Sequence, residues 1–315
     1  MRVPDIKFFD LFIKYDRKRE ATLQRKTEEL SSGKRLLYPS DNPVDSARVL
    51  RFKKLISTFE RFNRNIDFAK TSLENAESVL DTVVNTLQEV RVKIVQVMNT
   101  GVINDEDAKT LVDYFKAAKE YIINQANFKI GDNYIFGGVK VQDPPFDSDG
   151  KFKYQDSSGN YTVDTTKISV ANGVDVELNY NGADMFGVNQ TSGKITAVEV
   201  IDKIIDIIES GDIKQLNTAE ITVDGTSMKL LDAFDKGLNQ IMEYRSILGT
   251  QIATVENLKT QNENLRLHYS NLVSKLEDTD YAQAISEYEK AKTAYDALLA
   301  AIQQTKDLSL LKYYR

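Results

Sequence analysis

The chain contains no cysteine, and this absence excludes several kinds of site at once. Disulfide bonds, iron–sulfur clusters, thiolate zinc sites and cysteine nucleophiles all need the sulfur atom that the chain lacks. A cysteine-free chain suits either side of a membrane, so this absence leaves the redox compartment open.

Long apolar segments are also missing. No segment approaches the roughly 20 apolar residues that a transmembrane helix needs. The first residues, MRVPDIKFFDLFIKYDRK, place Asp5, Lys7 and Asp10 where a secretory signal peptide has an unbroken apolar core. We therefore expect neither contact with a membrane nor a cleavable secretory signal.

The chain lacks an excess of positive charge. Its formal net charge is −6. A nucleic-acid-binding domain usually has a basic surface patch, so nucleic acid is not an expected partner. Residues 1–35 are locally basic, with ten Lys or Arg against six Asp or Glu, which we interpret as a solvated helix face. At 315 residues and 41% hydrophobic composition, the chain is long enough for about two domains with real cores.

Prolines are few, and two of the five fall in LLYPSDNPVDSARVL at 36–50. Pro39 and Pro43 cannot both lie inside one continuous helix, because proline lacks an N–H group and fixes φ. Pro43 suits the first position of a helix and Asn42 suits its N-cap. Pro39, Asn42 and Pro43 therefore predict a hinge that ends one helix near Ser31 and begins another at Asn42.

After the hinge, apolar residues recur with alternating spacings of four and three from Leu55 to Val97. A strict seven-residue repeat of this length is typical of a coiled-coil seam. At ~1.5 Å per residue the helix up to Thr100 would be about 85 Å long, so it needs partner helices to cover its seam. The residues predicted to form the core of this helical rod are Leu55, Phe59, Phe62, Ile66, Leu73, Leu80, Leu87 and Ile94.

The middle of the chain differs from the helical segments in composition and in the period of its apolar pattern. A second helix is predicted from a cap at Asn104 to about Lys129, and from Gly131 to Phe186 the pattern changes to period two, with many Gly, Asn, Asp and aromatic residues. Short strands are predicted at KFKY, YTV, ISVA and VDVELNY. The two Asn-Gly pairs, at 172–173 and 181–182, suit tight hairpin turns. A helix at about 194–209 and a strand in AEITVDG follow.

From about Thr226 the helical pattern returns, and the seven-residue repeat continues from Val255 to Ile302 with a skip at 277–280. Asn262 lies within this seam, where a polar residue fixes the register at some cost in stability. The predicted fold class is mainly α with a β-rich insertion: a long antiparallel helical rod formed by the N- and C-terminal segments, plus a small outer β domain. The predicted segments are an N-terminal assembly helix and hinge (1–41), the two halves of the rod (42–138 and 226–285), the β-rich domain (139–225) and a C-terminal assembly helix (286–315).

The sequence contains no convincing motif for catalysis or for binding a metal or phosphate. His268 is the only histidine, and a lone histidine on a helical rod is a poor general base. GVNQTSGKI at 187–195 departs from the phosphate-loop spacing and has Ile195 where that loop needs Ser or Thr. DSDG at 147–150 lacks the further ligands of a calcium loop. We predict no catalytic, metal or cofactor-binding residue and no enzymatic activity.

Several separate segments resemble the flagellin superfamily. A conserved amino-terminal motif of that family is similar to LSSGKRLLYPSDNPVDSARVL at 30–50, in the form found in members at the junction between hook and filament. Segments of the same branch are similar to GDNYIFGGVKVQDPPF at 131–146 and NGVDVELNYNGADMFG at 172–187. The carboxy-terminal motif resembles SKLEDTDYAQAISEY at 274–288, and the tail of the junction branch resembles YDALLAAIQQTKDLSLLKYYR at 295–315.

The resemblance implies an extracellular structural subunit of the bacterial flagellum, in a ring between hook and filament. Such proteins leave the cell unfolded through the flagellar type III apparatus and assemble through their terminal helices. The implied partners are further copies of the chain, hook-associated protein 1 on the hook side, flagellin on the filament side, and a cytoplasmic export chaperone. Contacts with other subunits or the chaperone are expected at Tyr295, Leu299, Ile302, Leu308, Leu310 and Leu311.

Three alternatives stay open at the level of sequence. The first is a filament flagellin, which polymerises indefinitely. The second is a secreted effector or enzyme whose β domain binds or cleaves a ligand. The third is a cytoplasmic signalling coiled coil, which the β insertion disfavours.

Overall fold

A computed structural model describes residues 3–99 and 105–308 of the chain. The chain divides into two compact units, of which unit 1 comprises residues 1–60 and 263–315 and unit 2 comprises residues 61–262. The predicted segment 139–225 lies within unit 2, and the five-segment division stays a prediction.

The described residues form long helices joined by short strands, which confirms the predicted fold class. Three two-stranded antiparallel sheets pair β1 with β2, β3 with β4 and β5 with β6. None of the helices among these residues combines the length and the apolar character needed to cross a membrane. The elements are α1 (Val3–Ser32), α2 (Pro43–Asn99), α3 (Asp105–Ala126), β1 (Lys129–Ile130), β2 (Asn133–Tyr134), β3 (Thr166–Ala171), β4 (Val174–Asn179), α4 (Gly182–Met185), α5 (Thr196–Glu209), a 3₁₀ turn (Ile213–Asn217), β5 (Glu220–Val223), β6 (Thr226–Lys229), α6 (Leu230–Glu277) and α7 (Tyr281–Leu308).

The break between α1 and α2 lies where the two prolines predict it. The helix α1 ends at Ser32, and α2 begins at Pro43. The Asn42 side chain acts as the N-cap, because its Oδ1 accepts a hydrogen bond from the Asp45 backbone N–H at 3.1 Å. The predicted helix boundaries are thus confirmed, whereas bending at this segment stays a prediction.

The core of unit 2 follows the seven-residue pattern of α2. All eleven seam residues from Phe62 to Val97 are buried, and the fully buried ones include Leu73 and Leu80. Burying an aliphatic or aromatic side chain stabilises a fold by about 1.5–3 kcal/mol, so this seam contributes substantially to the stability of the unit. An antiparallel ladder of ion pairs joins α2 to α6, comprising Arg91–Asp235, Glu77–Arg245, Lys70–Glu256 and Asp67–Lys259.

The helices α3 and α5 contribute to the same core. Phe115 and Ile122 of α3 are fully buried, and nine of the fourteen residues of α5 are buried. A helix that is apolar on nearly all sides must be enclosed by other elements. Lys119 of α3 binds Asp202 of α5 at 2.6 Å, which aligns the two helices at the edge of the enclosed surface.

One of the two predicted Asn-Gly hairpins is confirmed and the other is wrong. The strands β3 and β4 pair around Asn172-Gly173, where Gly173 has φ of +75°. In contrast, Asn181 is the N-cap of α4 and accepts a hydrogen bond from the Ala183 N–H at 3.1 Å. Gly182 is needed there for close packing, because an added Cβ would lie 2.7 Å from the Phe136 carbonyl oxygen.

Other predictions in the insertion also need correction. KFKY forms only isolated bridges, at Lys151 and Phe152, and YTV forms no strand. The helix predicted from Thr226 begins at Leu230, because residues 226–229 form β6. The turn before β6 is Asp224-Gly225, where both residues have positive φ, as a tight hairpin turn requires.

Candidate functional site

The helices α1 and α7 of unit 1 pack against each other in antiparallel order. Lys26 of α1 binds Glu287 of α7 at 2.5 Å. Farther along the pair, partial removal from water and the negative charges of Asp16, Glu20 and Asp296 raise the pKa of Tyr295. The two helices that contain the terminal parts of the chain are therefore neighbours, as a shared rod requires.

This helix pair buries few of its side chains completely and leaves several large apolar ones exposed. Among residues 10–32 only Glu29 is buried, and among residues 281–304 only Ala284 is buried. Leu11 is 54% exposed, and Ile13 and Tyr15 beside it are also exposed. Two helices alone cannot enclose apolar stripes on both partners, so this surface is available for contact with other helices.

The predicted contact residues of α7 lie on this pair as far as the structure describes them. Tyr295 and Ile302 are half-buried, and Leu299 is exposed. Leu308 is the last residue of α7, but its side chain is outside the described residues, as are Leu310 and Leu311 altogether. Their role in assembly stays a prediction.

The predicted core residues of the rod differ along α2. Phe62, Ile66, Leu73, Leu80, Leu87 and Ile94 are buried, whereas Leu55 and Phe59 are half-buried. Phe59 stacks on Tyr269 of α6 with ring centroids 6.0 Å apart. Their assignment to the core of the subunit, rather than to contacts between subunits, stays a prediction.

Unit 1 also contains a cluster of charged and polar side chains, which we call the polar joint. The sequence did not reveal it. It comprises Lys26, Glu29, Lys34, Lys53, Glu277, Thr279 and Glu287. The Glu277 carboxylate, at the end of α6, accepts hydrogen bonds from Lys34 and Lys53, each at 2.6 Å. Glu277 is only 7% exposed, so this carboxylate depends on its two lysine partners.

A second buried carboxylate of the joint belongs to α1. Glu29 accepts a hydrogen bond from the Thr279 hydroxyl at 2.7 Å and binds Lys26 at 2.8 Å. Lys26 also binds Glu287 of α7. Glu29 therefore connects α1 to the short break between α6 and α7.

Backbone hydrogen bonds join the same two breaks of the chain. The N–H groups of Arg35 and Leu36 donate to the Glu277 carbonyl oxygen, and the Thr279 N–H donates to the Gly33 carbonyl oxygen at 2.9 Å. Gly33 has φ of +69°, and a Cβ at this position would lie 2.6 Å from the Tyr281 hydroxyl oxygen. A side chain at Gly33 would therefore disturb both the turn and the contact.

The charges of the joint shift the ionisation of its members. Burial alone would raise the pKa of Glu277, but hydrogen bonds from Lys34 and Lys53 and their positive charges outweigh it and lower that pKa. The pKa of Glu29 is lowered in the same way, because Lys26 and Thr279 offset its burial. Both carboxylates are therefore held in the ionised form that the joint needs.

The joint holds chain segments together: its one hydroxyl, that of Thr279, donates to the Glu29 carboxylate, which Lys26 also binds. His268 lies elsewhere, exposed, with its ring 5.6 Å from that of Tyr269. The Asp147 carboxylate of DSDG accepts hydrogen bonds from N–H groups of its own loop, as in an ordinary turn. Among the described residues no group of His, Asp and Glu is arranged to hold a metal ion.

Comparison with known proteins identifies both ends of the chain. The family model for the bacterial flagellin N-terminal helical region matches residues 14–140. The model for the bacterial flagellin C-terminal helical region matches residues 231–314. The two models together cover α2, α3, α7, nearly all of α6 and most of α1.

Similar proteins extend this match through the middle of the chain. Flagellar hook-associated protein 3 of Escherichia coli is 26% identical over 293 residues, which are 90% of each chain. Flagellin of Bacillus subtilis is 25% identical and covers 89% of this chain and 88% of its own length. The solved structure of a putative flagellar hook-associated protein from Vibrio parahaemolyticus has a TM-score of 0.61 at 19% identity and covers 76% of this chain and all of its own.

These matches agree with the fold and with the order of the terminal helices. The family consists of structural proteins of the bacterial flagellum and is not enzymatic. The chain belongs to the flagellin family and is a structural subunit of the bacterial flagellum.

Proposed function

We propose that the chain forms the junction between the flagellar hook and filament. The observation that carries this proposal is the similarity to hook-associated protein 3 of two bacteria over about nine-tenths of each chain. In this role copies of the chain form a short ring, with hook-associated protein 1 on the hook side and flagellin on the filament side. The chain reaches this position unfolded, through the flagellar type III apparatus, with an export chaperone on its C-terminal helix.

The exposed surface of α1 and α7 supports assembly through the terminal helices. Each apolar side chain that a neighbouring subunit buries contributes about 1.5–3 kcal/mol, whereas ordering a frayed residue costs about 1–2 kcal/mol. Leu11, Ile13 and Tyr15 on α1 and Ile285 and Leu299 on α7 offer such surface. Five such contacts per subunit offset the ordering of only about five to ten frayed residues, so we expect assembly to build on a helix pair that is already largely formed.

Immunogold labelling of intact flagella tests the position directly. Label confined to the distal end of the hook is expected for a junction protein. Label along the whole filament, or none on the flagellum, would reject the junction role.

A double substitution tests the role of the C-terminal helix. We expect Leu308→Asp with Leu311→Asp to leave the monomer folded, because neither residue belongs to the core of unit 2, but to block assembly and motility. The matched control is Gln303→Asp with Gln304→Asp, which adds the same charge at two exposed positions of α7. Full motility of cells that carry only the leucine variant would reject the assignment.

Filament flagellin is the second candidate, because flagellin of Bacillus subtilis also matches most of the chain. The two roles differ in how growth ends. Addition of short filament seeds to the purified protein would give indefinite polymerisation of a filament flagellin, whereas a junction protein stops after a short ring.

A further inference from the structure

The chain contains two Asn-Gly dipeptides, and the structure gives them opposite environments. An asparagine followed by glycine can react with its own backbone, because glycine offers no side chain to block the attack. The asparagine side chain and the backbone N–H of the following glycine must both be free to move for this reaction. Whether the reaction occurs therefore depends on how each pair is held.

Asn172-Gly173 forms the tip of the β3–β4 hairpin and is exposed. An added Cβ at Gly173 would meet no atom within 4 Å, so the space around the tip is open. Within the described part of the chain, no hydrogen bond holds the Asn172 side chain or the Gly173 N–H.

The strands below this tip are firmly held. Asn65 of α2 donates to the Ser169 carbonyl oxygen at 2.6 Å, and Ser72 donates to the Leu178 carbonyl oxygen at 2.6 Å. Asn262 of α6 donates to the Val170 carbonyl oxygen at 3.4 Å. The tip is thus the free end of an anchored hairpin, and its exposure does not require the hairpin to unfold.

The second pair, Asn181-Gly182, is buried and held in place by hydrogen bonds. Asn181 is 7% exposed, and its side-chain amide donates to the Thr162 hydroxyl and the Asp184 carboxylate while its oxygen accepts from Ala183 N–H. The Gly182 N–H, which would have to be the nucleophile, donates to the Phe136 carbonyl oxygen at 2.9 Å. Reaction at this pair requires local opening of the structure.

We propose that Asn172 is a site of spontaneous deamidation in the folded protein and that Asn181 is protected from it. The Gly173 backbone nitrogen attacks Cγ of Asn172, a new C–N bond forms, and the bond from Cγ to Nδ2 breaks. Nδ2 leaves as ammonia and takes the proton that the Gly173 nitrogen lost. Water then opens the cyclic imide at either carbonyl carbon and gives aspartate or isoaspartate, with no oxidant or reductant.

The product changes both the charge and the geometry of the hairpin tip. One negative charge is added three residues before Asp175. Isoaspartate also inserts one extra methylene group into the backbone between Ala171 and Val174, which are paired across the tip. The exposed end of this hairpin is therefore altered with time, while the anchored strands keep their contacts.

Incubation of the full chain at mildly alkaline pH, followed by peptide mass spectrometry, tests the proposal. Trypsin cleaves after Lys167 and Lys194, so one peptide contains both sites, and its fragment ions show which asparagine has gained roughly one dalton. In the folded chain we expect Asn172 to react at least about tenfold faster than Asn181, a factor for which an opening cost of about 1.4 kcal/mol at Asn181 suffices.

The same chain unfolded in urea is the matched control. There both Asn-Gly pairs are equally exposed, and we expect their rates to become similar. Equal rates in the folded chain would overturn the proposal. A difference of the same size in urea would overturn it too, because sequence and not structure would then cause the selectivity.

Discussion

The two units of this protein contain similar helical sequence patterns but bury them to very different extents. In unit 2 every seam residue of α2 from Phe62 onward is buried, and α5 is enclosed on nearly all sides. In unit 1 the described parts of α1 and α7 bury only Glu29 and Ala284. Unit 2 encloses its apolar seam, whereas the described parts of α1 and α7 in unit 1 leave large apolar side chains exposed.

The two units also depend on different interactions. The stability of unit 2 comes mainly from apolar burial, and the ion pairs between α2 and α6 are partly exposed, so each contributes only about 0–1 kcal/mol. Unit 1 has few buried apolar residues, and its best-enclosed side chains include the carboxylates of Glu29 and Glu277. Polar contacts therefore decide the local structure in unit 1 more than in unit 2.

The largest expected effect is in the core of unit 2. Phe115→Ala removes a fully buried ring and should lower the free energy of unfolding by about 3–5 kcal/mol. Phe68→Ala is the matched control, because Phe68 is 63% exposed and its loss should change stability by less than about 0.5 kcal/mol. Urea unfolding followed by circular dichroism measures both, and equal effects would contradict the assignment of the core.

The next effect concerns the polar joint. Glu277→Gln removes the negative charge that binds Lys34 and Lys53, and we expect a loss of about 1–2 kcal/mol confined to unit 1. Hydrogen exchange should become faster in 10–32 and 281–304 and stay unchanged in 66–94. The control is Glu289→Gln on an exposed position of α7, which should have little effect. Equal acceleration in all three segments would show that the joint stabilises more than unit 1.

The smallest effect is a difference in acid sensitivity. The pKa values of Glu29, Glu277 and Glu287 are all lowered by folding, so the stability they contribute is complete above their ordinary pKa of 4.5 and is lost as the pH falls below it. In unit 2 burial raises the pKa of Asp184. Protonation of this group at low pH therefore favours the folded state, which is the opposite effect.

We therefore expect unit 1 to lose protection from hydrogen exchange first as the pH falls from 5 toward 3. The lowered pKa values of Asp156 and Asp224 make unit 2 lose some stability in acid too. The raised pKa of Asp184 partly offsets that loss. The Glu277→Gln variant should show a weaker pH dependence in unit 1 than the unchanged chain. Loss of protection in unit 2 before unit 1 would contradict this order.

The long helices could be predicted because their signals are local. The spacing of apolar residues in α2, the cap at Asn42 and the break at 277–280 are each visible within a few positions of sequence. The hairpin at Asn172-Gly173 was predictable for the same reason. The second Asn-Gly pair was predicted wrongly, because the contact of Gly182 with Phe136 joins residues far apart in the chain.

The polar joint could not be predicted at all. Lys34 and Glu277 are 243 positions apart, and each is an ordinary charged residue in its own segment. The sequence by itself determined which segments are helical and which face of each is apolar, because helix periodicity and capping act over one or two turns. Only the tertiary structure decided which of those faces are covered and which lysines reach the buried carboxylates, because burial depends on partners that the chain brings together from a distance.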